Sequence, residues 1–253
     1  NAYQASKKFQ EKLKGAEEAL ANTKNQIKTL EEKDTFEKEK KTETEKQFWF
    51  ERFRWYITKE GNSVVAERDA NTNEVVVKKY LKEGDRYAHA DVHGAPSCIV
   101  KSIDINDKNI PISEKTLEET CIFAASYSKA WNQFADAQAY WVLPEQVSKT
   151  PQSGEFLPKG AFIIRGKRNH YRCKLEIAVG EITNEDTKKI MAGPVESVKA
   201  RSDKFIVLQS GVMKKNVIAK KLAKIFDVSM ETIQRLLPPG DVTIVKTEGF
   251  ELK

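Results

Sequence analysis

The first part of the chain carries a hydrophobic repeat that alternates steps of four and three residues. The repeat comprises Phe9, Leu13, Ala16, Leu20, Thr23, Ile27 and Leu30. This spacing is typical of the a/d seam of a coiled coil. Residues 1–47 are therefore predicted to form a long coiled-coil helix, one arm of an antiparallel hairpin. A second helix or a second copy of the chain would cover the seam, and a solvated spacer arm is compatible with either.

An aromatic cluster at residues 48–56 ends this repeat and marks the start of a globular core. Alternating patterns predict strands at residues 53–58, 63–67, 85–90, 97–101, 139–143 and 161–165. Residues 73–81 are predicted as a short helix, and Ser113 as the N-cap of a longer helix that continues to residue 134. The pattern indicates an α+β fold, with helices packed on a mixed sheet, over residues 48–174.

Residues 175–253 alternate strand and helix patterns again and are predicted to form a C-terminal α/β extension. The predicted strands are residues 174–182, 195–199, 204–209 and 241–246. Two helices, at residues 214–226 and 230–237, lie between the last two strands, and Pro238 and Pro239 end the second.

Charge and composition narrow the class of protein. The chain has 253 residues, 32% of them charged, with a net charge of +6. This surplus favours phosphate-rich or acidic partners without choosing between them. The three widely spaced cysteines favour a reducing compartment over a disulfide framework or a zinc finger. No membrane span or signal peptide is apparent, so a cytoplasmic location is predicted, and the helical start at Asn1 suggests a fragment.

The segment 87–94, Tyr-Ala-His-Ala-Asp-Val-His-Gly, is the first candidate for chemistry. On a strand, His89, Asp91 and His93 would share one face and could bind a metal or act as an acid–base pair. The alternative is that these are hydrogen-bonded structural residues near a binding surface. Because no further ligand or nucleophile is recognisable, no metal, cofactor or catalytic residue is predicted. Phosphate-binding glycine motifs are also missing from the sequence.

A second candidate is a basic stretch in which no acidic residue falls between residues 156 and 174. Its basic residues are Lys159, Arg165, Lys167, Arg168, Arg172 and Lys174, and Lys149 precedes them. Such a stretch suits contacts with nucleic-acid phosphates, and His170 and Tyr171 could stack on a base. The alternative is an ordinary solvated face.

A third candidate is the lysine-rich segment 214–226, which predicts a basic amphipathic helix. With the following helix it resembles a helix-turn-helix. The turn lacks glycine, however, and carries the bulky Phe226. We therefore interpret the pair mainly as a packing unit.

Several motifs in residues 46–172 together resemble the RNA-binding module of the NFACT family. They are Arg-Asp-Ala at 68–70, Asn-Glu-Val-Val-Val-Lys-Lys-Tyr-Leu at 73–81, Asp-Arg-Tyr-Ala-His-Ala-Asp-Val-His-Gly-Ala at 85–95, Ala-Ser-Tyr-Ser-Lys-Ala-Trp at 125–131, Ala-Tyr-Trp-Val-Leu-Pro-Glu-Gln-Val-Ser-Lys at 139–149 and Gly-Ala-Phe-Ile-Ile-Arg-Gly-Lys-Arg-Asn at 160–169. Two small departures are Glu67, where the family pattern has glycine, and Phe156, where it has tyrosine. A coiled coil upstream also matches the family's layout.

The resemblance implies an RNA- and ribosome-binding part of a ribosome-associated quality-control factor, and no enzyme. Such factors recognise stalled large subunits carrying peptidyl-tRNA and support tRNA recruitment for C-terminal tailing. The expected partners are large-subunit RNA and tRNA. Other quality-control factors, or a second copy of the chain, could bind through the coiled coil, and no membrane is involved.

The residues expected to contact RNA phosphates are Lys149, Lys159, Arg165, Lys167 and Arg168. His89, Asp91 and His93 would shape or line the same surface. One rival function is a protein-binding adaptor of the fibronectin-binding kind. The other is a metal-dependent nuclease centred on the two histidines and the aspartate.

Overall fold

The computed structural model describes residues 48–68, 74–151, 160–184 and 187–252. The coiled-coil helix predicted at residues 1–47 lies outside the described residues. Residues 48–253 form one compact unit. Within it, strands and helices combine into an α+β fold.

The first sheet has six strands in the order β1-β2-β4-β3-β5-β8. These strands are β1 Arg54–Ile57, β2 Ser63–Ala66, β3 Arg86–Ala90, β4 Cys98–Val100, β5 Asp136–Val142 and β8 Asn169–Lys174. The strand pair predicted around Gly61 is confirmed, and this glycine has a φ of +108° that suits the turn. The prediction of a mixed sheet is wrong, because the described strand pairs are all antiparallel.

The second sheet has four strands in the order β10-β9-β11-β12. They are β9 Glu176–Asn184, β10 Thr187–Gly193, β11 Phe205–Met213 and β12 Val242–Glu248. Strand β10 was missed by the sequence pattern. A third, two-stranded sheet pairs β6 Val147–Ser148 with β7 Ile163–Ile164. The strand predicted at residues 161–165 is therefore shorter and lies apart from the main sheets.

In the described residues, the α-helices with defined bounds are α1 Glu114–Ser126, α2 Val195–Lys199, α3 Lys215–Phe226 and α4 Met230–Leu236. The N-cap prediction at Ser113 is confirmed, since its hydroxyl accepts a hydrogen bond from the Thr116 amide at 3.1 Å. Helix α1 ends at Ser126, and a 3₁₀ turn follows at Lys129–Asn132. The helix predicted at residues 73–81 is a π-helix, Val76–Tyr80.

The strand predicted at residues 195–199 is wrong, because this segment is helix α2. Pro194 lies at its N-cap, and the spacing of three between Val195 and Val198 suits one face of a helix. Val198 is fully buried, and the Ser197 hydroxyl donates to the buried Glu119 carboxylate at 2.5 Å. Tertiary packing thus overrides the β-propensity of the valines.

The two large sheets share buried contacts. The Ile57 N–H of β1 donates to the Met191 Sδ of β10 at 3.3 Å, and both residues are buried. An added Cβ on Gly193 would lie 2.8 Å from Tyr56 Cβ, so the first and second sheets approach closely there. The chain leaves the first sheet at Lys174 and enters the second at Glu176. The division into a module ending at residue 174 and a C-terminal extension stays a prediction.

Helix α1 packs on one face of strands β3, β5 and β8. Beside it, the fully buried Trp131 donates its indole N–H to the Asp241 carbonyl at 3.0 Å, which ties the turn after α1 to the start of β12. Cys98, Cys121 and Cys173 are free and buried, and burial raises the pKa of the Cys173 thiol to about 12. In the part of the chain that the structure describes, no helix has the length and apolar character to cross a membrane.

Candidate nucleic-acid interface

The face of β3, β5 and β8 that lies opposite α1 carries a cluster of ring-bearing and charged side chains. The strand register places His89, Tyr140 and His170 side by side in one row across the three strands. Residues two apart on a strand share a face. Asp91 follows His89 by two, and we define the outer face as these four residues together with Arg168.

Asp91 organises the outer face through two contacts to the β8 side. Its carboxylate lies 3.2 Å from Arg168 Nη1 and 3.2 Å from His170 Nδ1. The Arg168 guanidinium also lies over the Tyr140 ring, 4.6 Å from its centroid, in cation–π geometry. One carboxylate therefore fixes both an arginine and a histidine at the surface.

The two histidines of the 87–94 motif occupy different environments. His89 is half-buried, and burial lowers its pKa, which favours the neutral ring. Strand β3 ends at Ala90, so the predicted shared strand face does not extend to His93, which is exposed beyond the strand end. Within the described ranges, no three histidine, cysteine or carboxylate residues converge as metal ligands would.

The basic turn, residues 165–168, is held by the side chain of Gln146. Its amide nitrogen donates to the carbonyls of Arg165 at 2.8 Å and Lys167 at 2.9 Å. Its amide oxygen accepts from the Leu143 N–H at 3.0 Å. Gly166 has a φ of +80°, which most other residues would adopt only with strain. The turn thus projects Lys167 and Arg168 from a fixed backbone.

We expect Gln146→Ala to loosen the basic turn, because three hydrogen bonds of the side chain are lost together. Affinity for bulk tRNA should fall about fivefold, given a cost of roughly 1 kcal/mol for ordering the turn on binding. Hydrogen exchange should show faster exchange of amides 165–168, with tRNA affinity measured by fluorescence anisotropy. Gln133→Ala, which truncates an exposed glutamine elsewhere, serves as the control. An unchanged exchange rate would contradict this role of Gln146.

Lys149 is near the basic turn but is engaged by an acid. It forms an ion pair with Glu74, and its hydrogen bond is the main reason that the pKa of Glu74 is lowered to about 2. Lys149 also lines a cavity of about 260 Å³ together with Phe162. The Arg165 guanidinium donates to the Thr150 carbonyl at 3.3 Å. Lys159 lies outside the described residues.

The acid-free stretch of sequence does not form an acid-free surface. Arg172 makes a bidentate pair with Asp136, at 3.0 and 2.9 Å, and this pair lowers the pKa of Asp136. Lys174 likewise contacts Glu176 at 3.0 Å. Asp136 comes from the neighbouring strand β5, and Glu176 begins β9, just beyond the basic stretch; sequence reasoning missed both pairings. In the described parts of the chain, no carboxylate is paired with the exposed Lys167, so this lysine is the best placed to meet a phosphate.

His170 and Tyr171, both considered for base stacking, lie on opposite faces of β8. His170 is exposed on the outer face beside Asp91. The Tyr171 hydroxyl donates to the Glu114 carboxylate at the start of α1. Of these two residues, His170 is therefore the one on the outer face that can stack on a base.

Comparison with known proteins shows the class of domain to which this part of the chain belongs. Residues 52–166 match the model of the NFACT protein RNA binding domain. This range contains β1 to β7, Gln146 and the first part of the basic turn. Residues 52–166 thus belong to a class of RNA-binding domain.

The chain belongs to the NFACT family. It is 39% identical to the archaeal Rqc2 homolog aRqcH of Methanocaldococcus jannaschii over 222 residues, which are 86% of this chain and 32% of the relative. It is 42% identical over 166 residues to the human ribosome quality control complex subunit NEMF, covering 65% of this chain and 15% of the relative. The chain therefore spans about a third or less of the length of these relatives.

A third relative is the ribosome quality control complex subunit 2 of Schizosaccharomyces pombe, 40% identical over 125 residues. The match covers 49% of this chain and 12% of that protein. Among solved structures, the C-terminal part of the fibronectin/fibrinogen-binding protein from Streptococcus suis has a TM-score of 0.40 and 17% identity. That match covers 59% of this chain and 49% of the other.

Proposed function

We propose that this chain is the RNA- and ribosome-binding part of a ribosome quality-control factor. The observation that carries the proposal is the basic turn, which Gln146 holds next to the outer face at the end of the RNA-binding domain match. The names of the archaeal, human and yeast relatives, all ribosome quality-control proteins or their homologs, support the same role.

RNA binds this surface chiefly through its phosphates. Lys167 and Arg168 contact the backbone directly, and Lys149, Lys159 and Arg165 are the further basic residues proposed to meet phosphates. His89, Asp91 and His93 shape the adjoining surface, with Asp91 holding Arg168 in place. Contacts of this kind position a protein on RNA without reading its sequence.

In the whole factor, this part docks on a stalled large subunit that carries peptidyl-tRNA and supports tRNA recruitment for C-terminal tailing. The chain itself makes and breaks no covalent bond, so it acts as an adaptor in the cytoplasm and not as an enzyme. A coiled coil formed by residues 1–47 would bind a second helix, another quality-control factor or a second copy of the chain.

Sedimentation of the 253-residue chain with purified large ribosomal subunits, over a series of salt concentrations, tests this proposal. We expect co-migration that fades as salt rises, because phosphate contacts release counterions. Co-migration that nuclease treatment of the subunits leaves intact would favour the protein-binding alternative. Failure to co-migrate at low salt would overturn ribosome docking by this chain.

A further inference from the structure

A groove on helices α3 and α4 lies in the part of the chain beyond the match to the RNA-binding domain. Its volume is about 700 Å³, within the range of specific ligand sites. The groove is lined by Asn216, Val217, Lys220, Lys221, Lys224, Ile225, Met230 and Glu251. The proposed RNA surface uses none of these residues.

The amphipathic pattern of α3 explains why the groove exists. Ile218, Leu222 and Phe226 are buried and hold the helix on the core. Val217 begins a second face, which includes Lys220, Lys221 and Lys224 at helical spacings of three, four and seven. The Gln234 side chain of α4 donates to the Asn216 side chain of α3 at 2.9 Å, which joins the two helices at the groove.

Apolar side chains remain exposed on the floor of the groove. Val217 is 47% exposed and Met230 is 36% exposed. Exposed apolar groups gathered in one concave site indicate binding of an apolar surface, whereas scattered ones need no explanation. Methionine, which is flexible and polarizable, is common on such binding surfaces.

The charge around this apolar floor is mostly positive. Three of the lining residues are lysines, and Glu251 is the acidic one. Lys220 and Lys224 are exposed, and no carboxylate of the described residues is paired with either. A partner that complements this groove has carboxylates beside an apolar stripe.

RNA fits the groove poorly. Unpaired bases are bound by stacking on aromatic rings or arginine planes, and the lining contains neither. The first turn of α4, which a helix-turn-helix protein would place against nucleic acid, carries Glu231. Glu231 is paired with Arg235, so α4 offers no surplus of positive charge to a phosphate.

We propose that this groove is a docking site for an acidic amphipathic helix of another protein. The apolar stripe of the helix packs on Val217, Ile225 and Met230, and its flanking glutamates or aspartates pair with Lys220 and Lys224. This is helix-in-groove recognition, with anchors at spacings of three and four residues. The site thus gives the chain a protein partner in addition to RNA.

The test uses the 253-residue chain and a fluorescein-labelled synthetic peptide with leucines on one helical face and glutamates elsewhere. A shuffled peptide of the same composition, with leucines spread around the helix, is the peptide control. Binding is measured by anisotropy at several salt concentrations, and ¹⁵N shifts report whether the amides of Val217 and Met230 respond. A poly(U) oligonucleotide is titrated in parallel.

We expect Val217→Asp to weaken peptide binding by about tenfold or more, since it puts a charge in the apolar floor. Val245→Asp is the matched protein control, because Val245 is 49% exposed but lies on β12 outside the groove. It should change affinity less than about twofold. The double variant Lys220→Glu/Lys224→Glu should weaken binding and flatten its salt dependence.

Three results would overturn the proposal: no binding of the peptide, equal binding of the shuffled peptide, or equal effects of the two valine variants. A loss of poly(U) binding in the double lysine variant, with peptide binding unchanged, would assign the groove to RNA instead. Circular dichroism confirms that each variant is folded. Because the groove and the proposed RNA surface share no residue, these results are independent of the outcome for RNA binding.

Discussion

Replacing Trp131 with alanine is expected to destabilise the whole unit of residues 48–253 by about 3–5 kcal/mol, the usual cost of deleting a fully buried tryptophan. Trp131 is 0% exposed and donates a hydrogen bond to the Asp241 carbonyl at 3.0 Å. Its loss would leave a cavity between the turn after α1 and the start of β12, and the Asp241 carbonyl would keep only the hydrogen bond that it accepts from the Gly211 N–H at 3.3 Å. Urea denaturation followed by far-UV circular dichroism measures the change in the free energy of unfolding.

The control for this prediction is Trp49→Ala, the same truncation at a tryptophan that is 43% exposed. Trp49 stacks on Tyr80 with ring centroids 4.5 Å apart, so we expect a loss of roughly 1 kcal/mol. Because both sheets share buried contacts, one unfolding transition is expected. Two transitions, with only one shifted by Trp131→Ala, would instead show that the predicted boundary at residue 174 separates independent folding units.

The second large effect is expected for Arg165→Glu combined with Lys167→Glu. Two positive charges of the basic turn become negative where phosphates are proposed to bind. Affinity for bulk tRNA should fall by roughly tenfold to a hundredfold at low salt, and the slope of log affinity against log salt should flatten by about 1.5–2. Fluorescence anisotropy over a salt series measures both quantities.

A matched control carries the same change in net charge on the second sheet and α2. Lys188→Glu with Lys199→Glu alters two exposed lysines that lie outside the RNA-binding domain match. If this control lowered the RNA affinity and the salt slope as much as the turn variant does, the net charge of the chain would explain RNA binding. The assignment of the basic turn would then be wrong.

Local signals explain why much of the fold could be predicted from the sequence. Ser113 is a strong N-cap, and the alternation around Gly61 defines a hairpin. The segment 195–199 was misassigned because its valines favour a strand in isolation, while Pro194 and the burial of Val198 make it a helix. Whether this segment forms a helix or a strand depends on its packing against residues that are distant in the sequence. A local sequence pattern carries no information about that packing.

The candidate site could be predicted only in part, because its basic side chains form ion pairs with acids that are distant in the sequence. The sequence shows a basic stretch without acids. In the fold, Asp91, just beyond the end of β3, contacts Arg168, and Asp136 on β5 contacts Arg172. Gln146 was overlooked for the same reason: an isolated glutamine gives no signal until its hydrogen bonds to residues 165 and 167 are known.

The burial of the three native cysteines makes the protein suitable for site-specific labelling. Maleimides react with thiolates, and burial both shields Cys98, Cys121 and Cys173 and raises their pKa values. They are the only cysteines in the sequence. A cysteine introduced at position 167 would therefore be modified selectively in the folded protein. A photo-crosslinker attached there would map the nucleotides that lie against the basic turn on an intact ribosomal particle.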